Sequence, residues 1–344
     1  MITETAAAGD ASSVAAVGEQ MRARAAAGAR PAFDRGDVER LRVADRASTL
    51  SSWMSAVTSG RAEHAIGSLT GTQDPPGDPA AMPAPSARYV DAAGQPTLPA
   101  VAYRGPLFRD GARPEDVRQG YLGDCYVATA AASIAQAQPG LLERLIKDNG
   151  DGTYTVTFKQ QAGWGEPYRD VPVTVDGKLY EAKSDRPAFG ISGEPTSRDQ
   201  MELWWPIFEK AYAKFRGGYD AIGSGGDAKH VLESVLGRPG NKDLISLHSR
   251  DTNWQTIRRA IDERRPICAG TTWDTLLAPF TNSGLRPQHA YSVLGYQERD
   301  GEKYVQLRNP WGNFEPTADG VDDGVFWLKF DDFIDRFQDL NTVD

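Results

Sequence analysis

Residues 119–135 read QGYLGDCYVATAAASIA. Gly120 and Gly123 allow a tight turn, and the Ala-rich run that follows as far as Ala137 predicts a helix. Cys125 stands at the head of that helix. A thiol in this position feels the positive end of the helix dipole, which favours the thiolate, the form that attacks carbonyls. Without a base nearby such a cysteine is simply a small buried hydrophobe. The other cysteine, Cys268 in PICAGTTW, reads as a core residue of a strand.

A nucleophilic thiol needs a base, and the base needs a group that fixes its tautomer and ring angle. Among four histidines (His64, His230, His248 and His289) only His289 is well placed. It opens the strand-like run HAYSVLGYQ, and Asn309 closes the next one, KYVQLRN. Asp300-Gly301 lies between them, a strong signal for a two-residue hairpin. The midpoint of the pair falls beside that turn, so the hairpin is expected to set His289 and Asn309 at the same end of neighbouring strands. Gln119, upstream of the cysteine, is placed to give an amide donor to the oxyanion of a tetrahedral intermediate. Trp311 is placed to cover the His–Asn hydrogen bond. Taken singly, Gln119 is a loop residue and Trp311 a core aromatic; the five together form a pattern.

Working outward, the chain has 344 residues and a formal net charge of −9, with no basic cluster. Holding nucleic acid by phosphate neutralisation is not expected of it. Two cysteines do not make a disulfide framework, and no HxxxH or CxxC spacing suggests zinc. The N-terminus lacks the cationic start and apolar stretch of a signal peptide. The longest weakly polar run, YVATAAASIA, is far short of the roughly 20 residues of a membrane span. A cytoplasmic monomer is therefore the expectation, with export by a non-classical route left open.

Residues 1–71 are Ala-rich and predict a helical N-terminal extension; Leu50, Trp53, Met54 and Val57 would form one apolar helix face. The run TQDPPGDPAAMPAPSAR begins a Pro-rich linker, 72–95. The segment 96–222 predicts a first lobe carrying the cysteine, and 223–344 a second lobe carrying the histidine and asparagine. In the first lobe LLERLIKDN continues helical after Pro139-Gly140. YTVTFKQ and VPVTVDGKLY predict strands with a turn at Asp176-Gly177, and MELWWPIFEKAYAKF a helix. In the second, WQTIRRAIDERRP predicts a helix among the strands PICAGTTW, HAYSVLGYQ, KYVQLRN and VFWLKF. A helical half followed by a β half implies an α+β enzyme with a cleft between lobes.

At this point a family resemblance appears. RQGYLGDCY resembles the nucleophile motif of calpain-type cysteine proteases, QHAYSVLGY the histidine motif, and LRNPWG the asparagine motif. LWWPIFEKAYAKFRGGYDAIGSGG is similar to the helix and glycine linker between the two calpain protease lobes, and DGVFWLKFDDFI to the segment ending the second. The resemblance runs from about Val101 to the C-terminus. It implies a papain-like two-lobed fold, a Cys125–His289–Asn309 mechanism, and limited endoproteolysis of protein substrates.

This chain departs from the pattern in places. Tyr126 replaces the tryptophan that usually follows the cysteine, and no C2-like or EF-hand module follows the second lobe. The resemblance also implies one calcium ion per lobe. Asp116 and Glu194 fall near the acidic ligands of the first site, and Glu315 and Asp323 near those of the second. Val325 stands where the second expects a ligating glutamate, so that site is expected to be weakened; otherwise these acids are solvated surface charges. The same triad also suits acyl transfer or side-chain deamidation; a retired active site would leave a binding module; and a third reading is an effector or toxin exported without a classical signal. Residues 1–95 suit a removable pro-segment, a delivery region or an added domain.

Overall fold

A computed structural model describes residues 98–344, apart from 164, 182–185, 194–196, 273–283, 317–320 and 344. The chain divides into two compact units, 1–71 and 72–344, and every described residue belongs to the second. The expected N-terminal helices, the linker and Glu194 therefore lie outside the described residues.

The described part contains two hydrophobic cores. The first forms around α1 (Cys125–Ala137) and α3 (Trp204–Phe215). Helix α1 is buried from Tyr126 to Ala135. Its small side chains let neighbouring elements approach closely, so enlarging any of Ala130–Ala132 would overpack the core by about 1–3 kcal/mol. Helix α3 buries Trp204, Trp205, Phe208 and Tyr212. Pro206 sits in its first turn, where a missing N–H has no intrahelical acceptor to lose.

A three-stranded antiparallel sheet covers this core: β3 (Ile146–Asp148), β4 (Thr153–Gln161) and β5 (Tyr168–Asp176). The alternation seen in YTVTFKQ places Tyr154, Val156 and Phe158 inward. One expectation fails here. The helix α2 (Pro139–Leu145) stops before Ile146, and Ile146–Asp148 pairs with Val156–Tyr154 instead. Strand pairing buries Ile146, and that tertiary gain outweighs the helical period of LLERLIKDN. After the turn at Gly177, β6 (Lys178–Tyr180) pairs with β1 (Ala100–Ala102) and leaves β5 behind.

The second core lies under a six-stranded antiparallel sheet. Its members are β8 (Gly240–Leu244), β9 (Cys268–Thr271), β10 (Ala290–Arg299), β11 (Glu302–Arg308), β12 (Val325–Lys329) and β13 (Phe337–Val343), in spatial order β12-β11-β10-β9-β13-β8. Helix α6 (Arg250–Asp262) packs on it through Trp254 and Ile257. This helix begins four residues earlier than its apolar spacing implies, because the Ser249 hydroxyl caps it by accepting the Thr252 N–H at 3.0 Å. The hairpin of β10 and β11 closes at Asp300 (φ 55°) and Gly301 (φ 78°), two successive left-handed residues, as a tight primed turn requires.

Candidate active site

Several hydrogen bonds hold the two cores together along α1 and the loop before it. The Ser292 hydroxyl on β10 donates to Thr129 O (3.0 Å), and the Ser133 hydroxyl donates to Ile267 O (2.9 Å). The Gln119 N–H donates to Pro310 O (2.8 Å), which fixes the loop before Cys125 against the loop after Asn309. The glycines of the loop before Cys125 are demanded by close backbone contact. A Cβ on Gly120 would lie 2.2 Å from Phe189 O, and one on Gly123 2.4 Å from Gly223 O.

Cys125 is half-buried at the N-terminus of α1, and the Ala290 N–H at the start of β10 points at its sulfur. His289, the neighbour of Ala290, is therefore brought to the same place. Its ring donates or accepts through Nε2 to Asn309 Oδ1 at 3.0 Å. The choice is settled by Asn309 itself. The Trp311 N–H donates to Oδ1 (3.2 Å), while Nδ2 donates to Phe314 O (3.2 Å). With the amide so oriented, Nε2 must carry the hydrogen, and Nδ1 is the basic nitrogen. Asn309 is 0% exposed and His289 8%. The Trp311 ring lies 4.8 Å from the imidazole and Tyr291 5.1 Å from it, edge-on.

The electrostatics differ from the sequence-based expectation. Burial pushes the Cys125 thiol up to about 11; the Ala290 N–H pulls the other way, and the Asp124 charge adds to the rise. Burial likewise pushes His289 down to about 4, against the Asn309 bond, with Arg286 adding to the fall. Desolvation thus outweighs the helix end and pushes both groups toward their neutral forms.

The Gln119 side chain reaches the same corner, where its Nε2 donates to Leu122 O at 2.6 Å. Residue-by-residue reading missed the His289 tether, in which its N–H donates to the buried Thr271 hydroxyl (2.9 Å). It also missed Arg286, whose guanidinium lies 4.1 Å over Phe314 and 5.4 Å over Trp311. Neither residue belongs to a local motif; both are brought in by the sheet.

Of the acids considered for calcium, the described ones, Asp116, Glu315 and Asp323, accept N–H groups of the protein. Asp116 Oδ2 accepts the Arg113 N–H (2.8 Å) and the Trp204 indole N–H (2.9 Å), and burial pushes its carboxyl above the usual range. Glu315 Oε1 accepts the N–H groups of Asp323 and Gly324, both at 2.8 Å, and Asp323 Oδ1 accepts the Val325 N–H. Among the described residues no three acidic, histidine or cysteine side chains converge as a metal nest. In the described structure these three carboxylates each cap backbone N–H groups.

Residues 99–320 match the calpain family cysteine protease domain. The chain belongs to the calpain family. It is 32% identical over 263 residues to the calpain-type cysteine protease DEK1 of Arabidopsis thaliana, covering 68% of this chain and 12% of that protein. Calpain-9 of Rattus norvegicus is 30% identical over 262 residues, covering 66% of this chain and 36% of its own. The chain thus spans a minor part of the curated relatives it matches. Procathepsin L 3 of Tenebrio molitor aligns over 93% of this chain and 96% of its own, at 13% identity and a TM-score of 0.28, a likeness too weak to build on. Membership of the calpain family places the α+β fold in the papain-like class. No described helix is long and apolar enough to cross a membrane.

Proposed function

We propose that this calpain-family chain is a cysteine endopeptidase acting on protein substrates, with Cys125 as nucleophile, His289 as base and Asn309 as its orienting group. The observation that carries this is the imidazole held by Asn309 through Nε2, with Nδ1 left basic on the residue next to Ala290, whose N–H faces the Cys125 thiol. In the first step Nδ1 takes the thiol proton and the sulfur attacks the peptide carbonyl carbon. The carbonyl oxygen becomes an oxyanion held by the Gln119 amide and the Cys125 backbone N–H. His289 then gives its proton to the leaving amine as the C–N bond breaks. Water, deprotonated by His289, cleaves the thioester and restores the thiol.

The dry walls formed by Trp311 and Tyr291 support this reading, because the ion pair made by proton transfer is stronger away from bulk water. Cys268 is assigned no part in the reaction; it is fully buried and its thiol lies 3.3 Å from the Ser133 hydroxyl. The proposed working form is a monomer in the cytoplasm. Calcium takes no part in these chemical steps.

The test is casein cleavage by the full chain together with mass-mapped labelling by a peptidyl epoxide. Cleavage lost in both Cys125→Ala and His289→Ala, with epoxide on Cys125 alone, is the expected result. Cleavage that survives Cys125→Ala, or equal labelling of Cys125 and Cys268, would overturn it.

A further inference from the structure

One group of buried acids has no part in the mechanism above. Asp124 directly precedes the nucleophile and is 0% exposed; Glu209, in the middle of α3, is 1% exposed. Asp124 occupies the N-cap position of α1 yet its side chain caps nothing. That is unusual, because an aspartate there ordinarily accepts an N–H of the first turn, a bond worth about 1 kcal/mol. The carboxyl turns inward and faces two side chains, those of Glu209 and Gln119.

Hydrogen-bond accounting shows what is missing. Glu209 Oε2 accepts the Gly190 N–H at 2.7 Å. No protein donor reaches either Asp124 oxygen, Glu209 Oε1 or Gln119 Oε1. Among the described residues no lysine, arginine or histidine forms an ion pair with either acid. Two ionised carboxylates side by side, buried and without a cation, are not a stable arrangement. A single proton supplies the absent donor, bridging one carboxyl to the other. Burial raises both acids, and the Asp124 charge raises Glu209 further, so the proton resides on Glu209.

We propose that Asp124 and Glu209 hold one proton between them and together position the Gln119 amide, acting on the acyl-transfer step through that oxyanion donor. Glu209, anchored on Gly190, donates to Asp124. Asp124, with its remaining charge, acts on the Gln119 amide through space without accepting its N–H; of the two amide hydrogens one is tied to Leu122 O and the other is left for the oxyanion. The amide is thereby held at the cleft base with its donor edge fixed and its carbonyl edge buried. Both acids are positioning residues: they reach the reacting atoms only through Gln119. This role rests on the endopeptidase reading given above.

A double-mutant cycle on the full chain tests it, with kcat and KM for casein cleavage and the rate of iodoacetamide alkylation of Cys125. Alkylation needs the thiolate but no oxyanion donor. Gln119→Ala is expected to lower kcat by roughly 100-fold, the usual scale for one oxyanion donor, and to leave alkylation unchanged. Asp124→Asn is expected to lower kcat about 10-fold with KM unchanged and alkylation no slower, since the lost charge opposes the thiolate, and to cost less than about twofold in the Gln119→Ala background. An equal loss in both backgrounds, or alkylation slowing in step with cleavage, would overturn the proposal. The proton is tested separately by infrared difference spectroscopy of the wild type against Glu209→Gln. A protonated-carboxyl carbonyl band at neutral pH, lost in the variant, is expected; no such band overturns the shared proton even if Asp124→Asn fails to fold. A wild type that cleaves no protein would count against the endopeptidase reading, while the infrared result still decides the pair.

Discussion

Asn309 Oδ1 lies 3.0 Å from His289 Nε2, and the same oxygen accepts the Trp311 N–H while Nδ2 donates to Phe314 O. The amide therefore has one orientation, and the imidazole one tautomer. Asn309→Ala should free the ring to turn and to take the other tautomer, lowering casein-cleavage kcat by about 100-fold, with KM little changed. A kcat within twofold of wild type would show that the tether is structural only.

Burial of neutral His289 makes stability depend on pH. Its ionisation falls from the usual value of about 6.5 to about 4 in the folded chain, so the unfolded chain binds more protons between these limits. Stability is then full above about pH 6.5 and declines as pH falls through the window. At pH 5 the loss from this group is on the order of 2 kcal/mol, at 1.36 kcal/mol for each pH unit below 6.5. Urea unfolding of wild type and His289→Gln at pH 7 and pH 5 checks it. The wild type should lose stability relative to the variant on acidification; parallel curves would contradict the burial argument.

Gln288, directly before His289, has φ 50°, a conformation that favours glycine. Its N–H donates to Thr272 O at 3.0 Å, so the backbone is held there by the sheet end. Left-handed backbone costs a non-glycine residue roughly 1–2 kcal/mol, and glycine returns part of that through its freer unfolded chain. Gln288→Gly is expected to raise stability by about 0.5–1 kcal/mol in urea unfolding. A loss of stability would mean that the Gln288 side chain makes contacts outweighing the strain.

Much of this site was legible because its signals are local. Asp300-Gly301 announces a turn with positive φ at both residues, and from it the meeting of His289 and Asn309 follows by counting along two strands. The Ala run of α1 announces a helix that must be crowded. What could not be read is whatever depends on distant partners. Ile146–Asp148 changes from helix to strand only because β4 lies beside it. FQDLNTV carries no clean alternation, yet as β13 it sits inside the sheet between β9 and β8. The thiol and imidazole shifts are set by desolvation, which no spacing reports. Asp124 stands in the nucleophile motif, but its buried partner Glu209 lies on a helix far along the chain.

The loop around Glu315 separates a capping acid from a calcium ligand. Glu315 Oε1 accepts the N–H groups of Asp323 and Gly324, and Gly324 O accepts the Asn309 N–H at 2.8 Å. Glu315 thus braces the loop that fixes the backbone of Asn309. Truncating it strands two N–H groups in a partly buried place, at about 1–3 kcal/mol. Glu315→Ala is expected to lose that much in urea unfolding and to lower kcat, because Asn309 is less firmly held. The loss should be equal in calcium and in chelator. If Glu315 instead serves an ion, the wild type alone gains stability from calcium, by an amount that grows with its concentration, and the cost of Glu315→Ala shrinks in chelator. Equal costs under both conditions assign Glu315 to the loop, and a calcium-dependent difference assigns it to a metal shell.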